Sequence, residues 1–173
     1  SEKYFQAHPE WFGELNGKRV PMSVCVFCTS NSDALQEFKK NVISYVKARP
    51  EINIFDLWPP DDVPWCSCPN CTTLGSESER HAIVVETIRR ALKKELPDVK
   101  LGILAYVHYT EFPEKTPISP EVRLDFCPIY RDYKSTLNDV VSDLNRTEYW
   151  DKLLRWKNGW KGEIEIYEYY MKY

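Results

Sequence analysis

The chain has 173 residues and a mass of 20.4 kDa, with 43% hydrophobic and 28% charged residues, a balance that builds one buried core and excludes a disordered or fibrous chain. Its formal net charge is −3 and like charges form no long block, so a nucleic-acid surface or an anionic-membrane patch has no electrostatic basis. No apolar run approaches the ~20 residues that cross a bilayer, so no membrane insertion is expected.

The start, Ser-Glu-Lys-Tyr-Phe, lacks the charged-then-apolar order of a leader, as expected of a mature, trimmed or excised chain. Met22-Ser-Val-Cys-Val-Phe-Cys28 then predicts a strand. Ser30 to Ser32 offer caps for a helix whose apolar residues Leu35, Phe38, Val42 and Val46 recur at helical spacing. Ile52 to Trp58 predicts a second strand. A cysteine-bearing loop leads from it to a helix over about 77–96 that carries Ile83, Val84, Ile88, Ala91 and Leu92. Leu101 to Val107 is a third predicted strand, and a Pro-rich connection without a helix follows it. Val122 to Phe126 is a fourth and Glu163 to Tyr167 a fifth, with a helical region over roughly 137–157 between them. Trp150, Trp156 and Trp160 are expected on helix faces as core or interface residues.

Strands alternating with helices predict an α/β fold with parallel pairing. A closed (β/α)8 barrel of the TIM type takes about 250 residues. About five strands in 173 residues therefore predict part of such a barrel, in a single domain over 1–173, with the rest of the strands supplied elsewhere. A strand that runs straight into the terminus at Tyr173 fits that expectation. The alternative is a self-sufficient open parallel sheet with helices on both faces.

Chemistry concentrates in the segment Ile52 to Cys71. There a β-branched run ends in two adjacent carboxylates, Asp61 and Asp62, flanked by Trp58 and Trp65 and followed by three cysteines. Loops beyond the carboxyl ends of parallel strands build the sites of such folds. Carboxylates beside indoles suit a sugar, whose C–H face stacks on aromatics while acids handle its glycosidic oxygen. The alternative is an Asx-type turn after Pro59-Pro60, with both acids capping backbone N–H groups. Other strand ends offer Asn31, which is equally placed to cap a helix, then Tyr106, His108 and Tyr109, then Cys127, Arg131 and Asp132, and finally Glu168, Tyr169 and Tyr170. Of these, Glu168 is the remaining acid candidate, with a solvated or ion-paired group as its plainer role.

Cys66-x-Cys68-x-x-Cys71 supplies three soft ligands in a tight loop. A fourth from Cys25, Cys28, Cys127 or His81 would complete a structural tetrahedral zinc site, with Cys66, Cys68 and Cys71 as metal ligands. No paired Cys-x-x-Cys knuckle stands opposite, which favours the competing readings, a disulfide such as Cys28 to a loop cysteine or buried free thiols. Asn70-Cys-Thr and Asn145-Arg-Thr match the glycosylation triplet at the rate chance provides.

Several segments together carry a family likeness: His8-Pro-Glu-Trp-Phe12, Arg19, Cys28-Thr-Ser-Asn31, Pro60-Asp61 ahead of the triple cysteine, Gly102-Ile-Leu-Ala-Tyr-Val-His-Tyr109 and Tyr167-Glu-Tyr-Tyr170. Over nearly its whole length the chain resembles a glycoside-hydrolase-like domain of secreted proteins of gut-type bacteria, long catalogued as of unknown function. That domain is related to α-glucuronidases and includes the endo-β-N-acetylglucosaminidases of glycoside hydrolase family 163. The resemblance implies a (β/α)8 barrel, an extracytoplasmic location and a carbohydrate partner, with no cofactor required for catalysis. Hexosaminidases of the substrate-assisted kind often carry Asp-Glu where this chain has Asp-Asp. By that likeness Asp61 would orient the substrate acetamide and Asp62 would be the general acid. An α-glucuronidase-like reading would instead use Arg131 or Arg123 on a sugar carboxylate, and a non-catalytic glycan-binding module would keep the aromatics alone.

Overall fold

The computed structural model describes residues 2–139 and 141–169. It begins with α1 (Glu2–Ala7), a 3-10 turn over Pro9–Trp11, and a small hairpin of β1 (Glu14–Leu15) antiparallel to β2 (Lys18–Arg19). The hairpin turns on Asn16 and Gly17, whose φ angles of 50° and 74° are those a type I′ turn demands and Asn-Gly adopts at least cost.

Helix α2 (Ser32–Lys47) starts where Asn31 Oδ1 accepts the Ala34 N–H at 2.9 Å. Short helix α3 (Pro69–Thr73) follows β3 (Ile54–Asp56). Helix α4 (Glu77–Glu95) starts where Ser76 Oγ accepts the Glu79 N–H at 3.3 Å. Acidic residues in the first turns and lysines in the last turns of α2 and α4 suit the helix dipole. Their apolar stripes, Val42, Ile43 and Val46 on α2 and Val85, Ile88 and Leu92 on α4, are buried in one continuous core.

That core lies on a sheet of β3, β4 (Lys100–Ala105), β5 (Arg123–Phe126) and β6 (Glu163–Ile166), ordered β3-β4-β5-β6 with every pair parallel. Along β5, Leu124 and Phe126 are fully buried while Arg123 and Asp125 alternate onto a more polar face. Register puts Asp56, Gly102, Arg123 and Glu163 in one row of that face and Leu104, Asp125 and Glu165 in the next. Arg123 pairs with Glu165 and lies 3.9 Å from Asp125. Gly102 gives room to Asp56, whose Oδ1 occupies the space where a Cβ at position 102 would stand. Gly102→Ala is therefore expected to cost about 1–2 kcal/mol in denaturant unfolding, with most of the loss recovered on an Asp56→Ala background. An equal loss on both backgrounds would show that the close approach is not its cause.

The connection from β4 to β5 has a 3-10 turn over Val107–Tyr109 and otherwise irregular backbone. Its polar groups are satisfied from both sides. Buried Glu79 and Glu86 on α4 accept the N–H groups of Lys115 and Ser119 at 2.9 and 2.8 Å. The indoles of Trp156 and Trp160 donate to the carbonyls of Thr110 and Ile118 at 2.8 and 3.0 Å. Both indoles are buried core residues, as the sequence suggests, and α5 (Asp151–Gly159), entered through a π-type turn over Asn145–Trp150, delivers them.

Two sequence expectations are corrected. Residues 22–28 form no strand: the Val26 N–H goes to Pro64 O at 3.0 Å and the Cys28 N–H to Trp11 O at 2.9 Å, so the donors leave toward different segments. The chain on the loop side carries Pro59, Pro60 and Pro64, which have no N–H to give a ladder. Among the described residues the parallel sheet thus has four strands, not five, and is open, consistent with the open-sheet alternative. The expected helical region over 137–157 begins later, at Asn145, and then runs unbroken through Gly159, with Tyr149 and Trp156 buried. Among the described residues no helix is long and apolar enough to cross a membrane.

Candidate functional site

All four parallel strands end at one edge, and the segments beyond them converge there. Trp58 comes after β3, Tyr106 after β4, Cys127 and Ile129 after β5, and Tyr167 and Tyr169 after β6; with Asp61 and Leu104 they line a cavity of about 290 Å³. Trp58 is 46% exposed and meets the Tyr167 ring edge-on at 6.4 Å, and Tyr167 stands 5.1 Å from Tyr169. Burial and then the Asp61 charge raise the Tyr106 phenol above its ordinary value. Burial pushes the Cys127 thiol up to about 12, which leaves it an inert wall and not a nucleophile.

Beside the cavity, Asp62 Oδ1 lies 3.4 Å from His108 Nε2, both groups open to solvent. The backbone carrying this pair is unusual. Asp62 has φ 47° and Val107 has φ 39°, and for a β-branched residue that conformation is a genuine outlier of the kind that collects at functional sites. On the other flank, Arg131 Nε lies 3.2 Å from Glu168 Oε2, donates through Nη1 to the Ser135 carbonyl at 3.1 Å and covers the Tyr133 ring at 4.4 Å.

Asn145 holds the loop that carries Arg131. Its side chain, fully buried, accepts the Asp132 N–H at 2.6 Å and donates to the carbonyls of Asp132 and Thr136 at 2.9 and 3.0 Å. A glycan cannot be attached at such a position, so the Asn145-Arg-Thr triplet is a chance match. Asn145→Ala leaves one half-buried donor and two half-buried acceptors without this partner and is expected to cost about 1–3 kcal/mol, read as a shift of the denaturant midpoint.

The sequence candidates therefore separate. The structure brings Asp61, Trp58, Tyr106 and Tyr169 into one cavity wall, sets Asp62 against His108 beside it, and ties Glu168 to Arg131. It does not place the other three there. Trp65 is 6% exposed and Tyr109 4%, edge-on to one another at 5.8 Å within the core, and Asn31 caps α2. Tyr170 lies outside the described residues. Tyr167, missed as a site residue, could have been found by the alternation along β6, since it follows the last paired position, Ile166.

The six cysteines are all described, all buried and none is in a disulfide. Cys28, Cys66, Cys68 and Cys71 bring four sulfurs within 4.8 Å of one another and could bind a metal ion. Cys25 packs against these four without being one of the metal-ligand set, and Cys127 lies outside the cluster. Hydrogen bonds from Cys28 and Cys66 hold the Cys71 thiol well below its ordinary value, while bonding to Cys28 and Cys71 together with burial pushes Cys66 far up.

The family model for a domain of unknown function (DUF4838) matches residues 1–173. The chain belongs to this family. No curated protein and no solved structure matches it.

Proposed function

We propose that this DUF4838 domain acts on glycans outside the cytoplasm as a segment of a (β/α)8-type glycoside hydrolase, with substrate-assisted β-N-acetylglucosaminidase chemistry. The observation that carries the reading is the cavity beyond the carboxyl ends of all four strands, where one carboxylate faces an aromatic wall. Strand order supports the barrel: β3-β4-β5-β6 advances in sequence order without the reversal that marks a doubly wound sheet. Both edge strands carry exposed isoleucines, Ile54 and Ile166, where further strands of the parent barrel would continue the sheet.

In this reading Trp58, Tyr106, Tyr167 and Tyr169 stack and frame the sugar, Asp61 orients the acetamide whose oxygen attacks the anomeric carbon, and Asp62, paired with His108, protonates the departing oxygen. Glu168, held by Arg131, positions the wall and does not transfer the proton. The same pair weighs against the α-glucuronidase-like alternative, because Arg131 is already committed to a carboxylate and a carbonyl. The accompanying metal is structural zinc, since four buried thiolates leave no open position for a catalytic water.

The test is hydrolysis of an aryl β-N-acetylglucosaminide and of an N-glycan glycopeptide by the full-length protein. Turnover of either supports the reading. No turnover, with tryptophan fluorescence still quenched by sugars at exposed Trp58, replaces it with a non-catalytic glycan-binding module.

A further inference from the structure

We propose that Cys28, Cys66, Cys68 and Cys71 bind one zinc ion as a closed tetrathiolate, and that this ion, in place of a strand ladder, fastens residues 8–30 to the loop bearing Asp61 and Asp62. The inference rests on the structural-metal reading above and is independent of glycan hydrolysis.

Geometry fits the ion. A tetrahedral centre with Zn–S bonds of about 2.3 Å needs sulfurs about 3.8 Å apart. Cys28 Sγ lies 3.7 Å from both Cys68 Sγ and Cys71 Sγ, and all four sulfurs fall within 4.8 Å of one another. A disulfide needs about 2.05 Å and would satisfy only two of the four sulfurs.

The surroundings supply donors that metal-bound thiolates would accept. The Glu14 N–H donates to Cys66 Sγ at 3.2 Å and Arg19 Nη1 to the same sulfur at 3.8 Å. Ser30 Oγ lies 3.2 Å from Cys71 Sγ and 3.3 Å from Cys28 Sγ, and Thr29 Oγ1 lies 3.6 Å from Cys71 Sγ. Binding releases the four thiol protons to solvent, so four thiolates and Zn²⁺ leave two negative charges. Two guanidiniums stand against them, each shared with a carboxylate: Arg19, 3.5 Å from Glu14, and buried Arg80, which lies 3.1 Å from Glu77 and donates through Nη1 to the Cys66 carbonyl at 2.6 Å.

Placement explains the purpose. Residues 22–28 lack sheet pairing, yet Cys28 closes on a loop some forty positions later in the chain. The other ties between the two segments are few: Val26 N–H to Pro64 O, and the Ser67 N–H and hydroxyl to Glu14 O at 2.8 and 2.7 Å. Gly13 lies against the same corner, where a Cβ would collide with Cys25 Sγ and with the Val26 carbonyl oxygen, so only glycine permits this close approach.

The experiment is elemental analysis of the full-length protein purified under reducing conditions without chelator, followed by replacement of the bound metal with Co²⁺. The expected result is one zinc per chain, and on replacement the intense thiolate-to-cobalt and tetrahedral d–d absorption of a four-sulfur site. Cys28→Ser should lose the metal and expose residues 8–30 to limited proteolysis, whereas Cys25→Ser and Cys127→Ser should keep both metal and protection. Arg19→Gln should weaken binding roughly 10–100-fold. If Cys28→Ser does not fold, the cobalt spectrum of the unaltered protein still decides. Absence of metal with no cobalt spectrum, iron in place of zinc, or metal loss in Cys25→Ser equal to that in Cys28→Ser overturns the proposal. Stoichiometric zinc without glycan turnover leaves this inference standing and fails only the hydrolase reading.

Discussion

Asp61→Asn and Asp62→Asn in the full-length protein are each expected to lower kcat on N-acetylglucosaminide substrates by roughly 10²–10⁴-fold, the range a positioned acid or base contributes. The two should differ in how they depend on the leaving group. A general acid matters only when the departing oxygen needs a proton, so Asp62→Asn should recover most of its rate on an aryl glycoside with a strongly acidic phenol. Asp61→Asn should stay slow on every substrate, because the acetamide must be oriented whatever leaves. The geometry supports this division: Asp61 lines the aromatic cavity, while Asp62 sits at its rim within 3.4 Å of His108. His108→Gln should therefore act like a milder Asp62→Asn. If both aspartate variants turn over the glycopeptide at the unaltered rate, the acid pair is an Asx-type turn and the site must be sought elsewhere.

Acid should destabilise the domain through His81 by roughly 3 kcal/mol, taking about 1.4 kcal/mol for each pH unit between the ordinary value and the shifted one. Burial lowers this imidazole from 6.5 to about 4, with a backbone hydrogen bond at Leu57 opposing only part of the effect. The ring is packed edge-on against Tyr109 at 4.8 Å and Trp65 at 6.1 Å, with no room for a hydrated cation. Between about pH 4 and 6.5 the unfolded chain holds the proton and the folded one does not. The contribution is thus full above pH 6.5, declines as pH falls toward about 4, and levels off below it. Unfolding midpoints measured from pH 7.5 to 4 for the unaltered protein and for His81→Gln should converge in slope above pH 6.5 and diverge below. Parallel curves across the whole range would show that His81 is not the group responsible.

How much of this was legible beforehand depends on the range over which each feature is decided. Helix α4 was readable nearly to the residue, 77–96 expected against Glu77–Glu95 found, because Ser76, the acidic first turn, the apolar stripe and Pro97 all act within a turn or two of their own position. The strands were recognisable but too long: β3 starts only at Ile54, which pairs with the first residue of β4, Lys100, and stops at Asp56 ahead of Pro59-Pro60 although β4 runs on to Ala105. The hairpin at Asn16-Gly17 was missed although Asn-Gly is a strong turn signal, its strands being only two residues each.

Sequence by itself determined the α/β class, the bounds of α4, the burial of Trp156 and Trp160, and the collection of acids and indoles after β3. These follow from periodicity, capping and composition, which are local. Tertiary structure alone decided that 22–28 would not pair, that Cys28 rather than Cys25, Cys127 or His81 would meet the loop cysteines, that Trp65 and Tyr109 would be core, and that Glu168 would be taken by Arg131. Each of those outcomes is a competition among partners tens of residues apart. Packing and hydrogen-bond satisfaction across the whole core settle it, and no window of the sequence holds both competitors.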